Sequence, residues 1–176
     1  MKRKLSDICE AIGDGIHGTP QYDENGEYYF INGNNLINGK IVLKDDTKRI
    51  SSVEAKKYMR LLNKNTILIS INGTLGNVAK YNNEKVILGK SACYLTFKNN
   101  VNIDYIKYIF MTQSFQRFLI NAATGTTIKN VPLKEIRACE IDLPEENLQE
   151  KIVKILKCID NKIELNNQIN DNLLVA

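Results

Sequence analysis

Apolar and polar positions along this chain follow two short rhythms and then one long one. LSDICEAIGDG (5–15) has helical spacing, with Ser6 placed to cap it and Gly13 placed to stop it. A Gly/Pro/polar loop, DGIHGTPQYDENG, follows. EYYFING (27–33) and KIVL (40–43) read as strands on either side of the turn-rich NNLING. SSVEAKKYMRLL (51–62) returns to helical period, and Ser51-x-x-Glu54 has capping-box spacing. Strand-like runs come next at TILISI, NVAKY, KVIL and ACYLTF, broken by NGTLG, NNE and GKS. Within the first break, Gly73-Thr74-Leu75-Gly76 reads as a hairpin turn.

The period then lengthens. NIDYIKYIFMTQSFQRFLINAA (102–123) reads as one helix whose Ile106, Ile109, Phe110, Phe115, Phe118 and Leu119 share a broad apolar face. TGTTIKN follows, then a helical turn at PLKEIRAC and a strand at EIDL. From Pro144 to Ala176 the chain has no internal Gly or Pro and reads as one long helix. Leu148, Ile152, Ile155, Ile159, Lys162, Asn166, Ile169 and Leu173 alternate spacings of four and three, a coiled-coil register. Asn166 stands at an a-type position, where a polar residue can fix partner and register. The pattern equally fits a helix lying on its own domain. The expected architecture is α+β: a β-rich domain with short helices (1–144), then a long coiled-coil-type helix (145–176).

Composition narrows the classes. The 176 residues are 43% hydrophobic and 25% charged, ordinary for a folded domain with one sizeable core. No run of about 18 apolar residues exists, so no membrane span is expected. The basic tip MKRK precedes no apolar segment, so a secretory signal is not expected. Cys9, Cys93, Cys139 and Cys158 are widely spaced and His17 is the only histidine, which disfavours the usual zinc sites. These features fit a reducing cytoplasm, with each thiol a small hydrophobe. Charge is uneven: residues 1–144 carry 20 Lys/Arg against 14 Asp/Glu, and residues 145–176 carry 4 against 6. A mildly basic body suits a phosphate backbone, though it is also an ordinary mixed surface.

Catalytic signatures are sparse. No Gly-x-Ser-x-Gly accompanies His17, and no P-loop or glycine-rich dinucleotide loop is present. Asp45, Asp46, Glu54 and Lys56 offer the letters of a metal-dependent nuclease, but Glu54 falls in the capping box of an expected helix. The loops instead share a vocabulary of Asn, Thr, Ser, Gln, Lys and Tyr: HGTPQY, NGNN, NGT, GKS, TGTTIK. Asn and Gln can pair bidentately with adenine, Lys with guanine, and hydroxyls and Lys with phosphate.

INGNNL, then NTILISINGTLGNVA, then AATGTTIKNVPLKEIRACEIDLPEENLQEKIVKIL and a long helix stand in an order that resembles the specificity (S) subunits of type I restriction–modification systems. The resemblance covers nearly the whole chain. Its most specific parts are the Gly-[Ser/Thr]-Thr loop with its Leu-Pro strand and Ile-x-x-Ile-Leu helix, and Leu68–Gly76. It implies a non-catalytic target recognition domain that reads double-stranded DNA, followed by a spacer helix. It also implies docking of methyltransferase (M) and restriction (R) subunits. S-adenosylmethionine, ATP and Mg are then expected only on those partners, with no cofactor in this chain.

The family pattern has two recognition domains and this sequence has one, so the chain resembles half a subunit, either a short form that pairs with a copy of itself or a fragment of a longer chain. Base reading is expected from His17, Thr19, Gln21 and Tyr22, from Asn32, Asn34 and Asn35, from Asn72 and Thr74, and from Lys90 and Ser91. Thr126, Thr127 and Lys129 sit in a loop whose recurrence in the family implies scaffolding or phosphate contact. In that loop Gly125 is expected at positive φ, with Thr126 or Thr127 satisfying backbone groups. Ile152, Ile155, Ile159, Asn166, Ile169 and Leu173 are the expected homodimer seam. Two alternatives stay open: the small nuclease above, and a helix-mediated interaction module that does not read DNA.

Overall fold

In the computed structural model, residues 1–175 are described, with side chains to Asn172. The chain runs β1 (Lys2–Lys4), α1 (Leu5–Ile8), β2 (Cys9–Asp14), β3 (Tyr28–Ile31), a 3-10 turn (Gly33–Asn35), β4 (Leu36–Ile37), β5 (Lys40–Ile41), β6 (Arg49–Ile50) and α2 (Ser52–Ala55). It continues through β7 (Thr66–Ser70), β8 (Val78–Lys80), β9 (Val86–Leu88), β10 (Ala92–Phe97), α3 (Ile103–Met111), α4 (Gln113–Ala122), α5 (Leu133–Ala138), β11 (Glu140–Asp142) and α6 (Glu146–Val175). This is the α+β architecture expected, with a β-rich body and one long C-terminal helix.

The centre is a four-stranded antiparallel sheet in the order β2-β10-β7-β8. Both of its faces are covered, which is why all five residues of β7 are buried and its middle reads Ile-Leu-Ile, between buried Thr66 and Ser70. Side chains alternate across a strand, so Ile67, Ile69, Cys93, Leu95 and Phe97 face one core. There they meet α3 and α4, with Phe110 stacked on Phe115 at 4.2 Å between ring centroids. Leu68 and Ala92 face the other way, into a core shared with Ile31 and Leu88 of β3 and β9. Those two strands pair in parallel and, with β6, make a three-stranded sheet.

Three expected helices differ from their patterns. The 5–15 helix lasts only from Leu5 to Ile8, and Cys9–Asp14 is a strand on β10. Ser6 makes no cap, and Gly13 is not a stop: a Cβ there would lie 2.7 Å from the Tyr94 hydroxyl, so the glycine lets the strand pass under the ring. Ser51 does cap α2, accepting from the Glu54 N–H, yet that helix ends at Ala55. The 102–123 helix is broken at Thr112, whose hydroxyl donates to the Ile109 carbonyl and accepts from the Phe115 N–H. The break lets Phe110 and Phe115 meet face to face. Cys9, Cys93 and Cys139 are buried as small hydrophobes, but Cys158 is exposed on α6.

The long helix docks by a different face from the expected seam. Gln149 and Val153 are buried against the body, and three ion pairs extend that contact: Lys157 to Asp104, Lys107 to Asp160 and Lys40 to Glu164. The seam residues Leu148, Ile155, Ile159 and Ile169 are exposed (47–63%), while Ile152 is partly buried. The side chain of Leu173 lies outside the described residues.

Candidate nucleic-acid interface

One end of the central sheet gathers most of the expected reading residues. β7 and β10 are antiparallel, with Ser70 opposite Ala92, so the chain leaving β7 and the chain entering β10 emerge together. Asn32, Gly33, Asn34, Asn72, Thr74 and Ser91 line one polar hollow of about 240 Å³ there. Its walls are tied by short bonds. The Gly33 N–H donates to Ser91 Oγ at 2.9 Å, and Ser91 Oγ donates to Asn32 Oδ1 at 2.9 Å. Asn77 Nδ2 donates to the Gly33 carbonyl at 2.9 Å. Close approach is possible because Gly33 has no side chain: a Cβ would lie 2.5 Å from that of Ser70.

The TGTTIKN loop abuts the same hollow. Asn72 Nδ2 donates to Asn130 Oδ1 at 3.2 Å, and the Gly73 N–H donates to the Lys129 carbonyl at 2.9 Å. The loop closes on itself through paired backbone bonds between Thr124 and Asn130. Gly125 has φ +91°, as expected for the turn. The hydroxyl that satisfies the loop backbone is Thr124, donating to the Asn130 carbonyl, rather than Thr126 or Thr127. Thr126, Thr127 and Lys129 are all exposed on its outer side.

On the other flank, a bridge joins Ile16 to Gly89, which brings the early loop beside Lys90. His17 is exposed and bonded to the Asp14 carboxylate at 2.8 Å. Thr19, Gln21 and Tyr22 are exposed further along. Tyr22 also lines a groove with Asp23, Glu24, Asp45 and Asp46 and with Lys48 and Arg49, so a rim of mixed charge bounds the surface on that side. Among the described residues, neither Lys90 nor Lys129 has a carboxylate within ion-pair distance. Both cations are therefore available to an anion.

Asn35 does not belong to this surface. It is 5% exposed; its Oδ1 accepts from the Asn32 N–H, and its Nδ2 donates to the Val42 carbonyl and to Thr47 Oγ1. Its amide is spent inside, holding the loop that presents Asn34. Ser91 is half-occupied in the same way, as a clamp between Gly33 and Asn32. Asn130 and Asn77 are the loop-fixing residues that sequence reasoning missed, because their partners lie 58 and 44 positions away.

The nuclease letters do not assemble. Glu54 is held by Lys57 and by the Gln21 N–H, and Lys56 is not its partner. The Lys57 bond and the Gln21 N–H hold the Glu54 carboxyl below the usual carboxylate range. Among the described residues no group of three or more His, Cys, Asp or Glu could hold a metal ion, and no helix is long and apolar enough to cross a membrane.

A β-rich body presenting linked polar loops at one end, beside a projecting helix with an exposed apolar row, defines the structural class. Residues 1–174 match the model of the type I restriction modification DNA specificity domain, and the chain belongs to that family. It is 25% identical over 174 residues to the type I restriction enzyme MjaIX specificity subunit of Methanocaldococcus jannaschii, covering 97% of this chain and 40% of that one. It is 32% identical over 107 residues to a putative type I specificity subunit of Mycoplasma pneumoniae, covering 60% of this chain and 28% of the other. The chain thus spans well under half the length of these relatives. Among solved structures, the HsdS subunit of Thermoanaerobacter tengcongensis matches with a TM-score of 0.68 at 17% identity, over 94% of this chain and 38% of that one. The S subunit of M. genitalium matches with a TM-score of 0.65 at 21% identity, over 93% and 40%. These likenesses bear on fold.

Proposed function

We propose that this chain is a sequence-specific DNA recognition domain of a type I restriction–modification complex, reading one half of a split site. The observation that carries the reading is the convergence of distant loops on one polar surface with unpaired Lys90 and Lys129, in a chain of the specificity family. Exposed Asn34, Gln21, Thr19 and Thr74 are the base-reading candidates, and Asn32 and Asn72 shape the hollow between them. Lys129, Lys90, Thr126 and Thr127 hold backbone phosphates. The chain does no chemistry of its own. S-adenosylmethionine, ATP and Mg belong to the methyltransferase and restriction subunits that dock on it, in the cytoplasm.

The exposed row Leu148, Ile155, Ile159 and Ile169 is the pairing face for a second copy. A two-fold pair about such a helix presents two reading surfaces and selects a palindromic split site.

Selection from a random duplex pool tests both ideas, with the chain alone and with a methyltransferase subunit added. Enrichment of a split palindrome is expected. A single short half-site would keep the recognition reading and remove the symmetric pair. No enrichment under either condition would overturn the proposal.

A further inference from the structure

Residues 56–62 are the largest departure from sequence pattern beside the candidate interface. The chain promises a helix through Leu62, but after Ala55 it makes one turn and then runs as an irregular loop. The Leu62 N–H donates to the Arg60 carbonyl at 2.9 Å, which makes a three-residue turn with Leu61 at its apex. Both sides of that turn are anchored. Arg60 Nε donates to the Asp14 carbonyl at 3.3 Å, and Leu62 packs into the core around Leu68. Leu61 is thereby held outward, 95% exposed, with Met59 beside it at 51%. Lys56 and Arg60 precede it on the same loop, and among the described residues neither has a carboxylate partner. The turn is continuous with the reading surface, because Asp14 also holds His17.

We infer that this loop is a further DNA contact, with Leu61 pressed as an apolar wedge into the minor groove and Lys56 and Arg60 on the flanking phosphates. The inference rests on the DNA-reading proposal above. An apolar side chain held out on a tight turn, on a loop that also carries two cations without carboxylate partners, suits a partner that is anionic outside and apolar between its stacked bases, which is a duplex. An apolar groove on a protein partner would need no such cations. Leu61 carries no sequence information in this role. It adds affinity and deforms the duplex, so preference arises from how easily a base step opens.

The test is titration of the full chain with a mixed-sequence duplex carrying 2-aminopurine, at several salt concentrations. The wild-type chain is expected to bind with salt dependence and to raise 2-aminopurine fluorescence by unstacking. Leu61→Ala is expected to weaken binding about tenfold, abolish the fluorescence rise and leave the salt slope unchanged. Lys56→Ala is expected to lower the slope by about one. Thermal melting of both variants should match wild type, since neither side chain is buried. Salt-dependent binding by wild type with both variants indistinguishable from it would overturn the wedge alone. Absence of salt-dependent binding by wild type, both alone and with a methyltransferase subunit added, would overturn the wedge and the DNA-reading proposal together.

Discussion

At the scale of single residues, neighbours in sequence divide into readers and supports. Asn34 and Asn35 are the clearest pair: the first is exposed and the second buried, with its whole amide engaged. Asn35→Ala is expected to lower unfolding free energy by about 1–3 kcal/mol, measured by denaturant melts, because it leaves buried partners unsatisfied. Asn34→Ala should leave the melt unchanged. On the selected sequence it should cost about 1–3 kcal/mol of binding, and little on others. Lys129 is exposed and unpaired beside the hollow, so Lys129→Ala should weaken binding uniformly across sequences and lower the salt slope by about one. Equal slopes for the variant and wild type would remove Lys129 from the contact set.

At the scale of elements, the junction between α3 and α6 carries paired charges. Asp104 accepts from Lys80 and Lys157, and Asp160 accepts from Lys107 and the Tyr108 hydroxyl. Burial alone would raise both carboxyls, but these hydrogen bonds outweigh it and hold both below the usual carboxylate range. A depressed folded-state pKa adds stability that is present above the unfolded pKa and is lost as pH falls through the folded one. Docking of α6 should therefore be unaffected near neutrality and loosen below about pH 4. Distances between probes on α6 and the body would report it, and a junction insensitive to acid would show that Gln149 and Val153 hold the helix alone. On the free face, Ile159→Asp should abolish any self-association in sedimentation runs while the melt of the β body stays at the wild-type temperature.

At the scale of the whole molecule, one central sheet supports two cores, and the reading loops hang from the end where β7 and β10 open. Phe110 is fully buried between Phe97 and Phe115, so Phe110→Ala is expected to destabilise the fold by about 3–5 kcal/mol. A loss below about 1 kcal/mol would mean the aromatic stack is peripheral to the core.

The sequence by itself determined β3, β5 and β7 to β10, the Ser51 cap, the positive-φ Gly125 and the long final helix. These depend on period, turn chemistry and capping, which act over a few residues. Tertiary structure alone decided that Cys9–Asp14 is a strand, because pairing with β10 overrides its helical spacing. It also decided that Asn35 and Ser91 are supports, that Asn130 closes the hollow, and that Leu61 is held in the open. Asn35 is held by Asn32, Val42 and Thr47 around a turn, while the others depend on partners many residues away; a hydrogen bond or packing contact of either kind leaves no periodicity to read. The same holds for α6. Its heptad row was legible, but which face the body would occupy was set by Asp104, Lys107 and Lys40, residues whose positions only the folded chain brings to the helix.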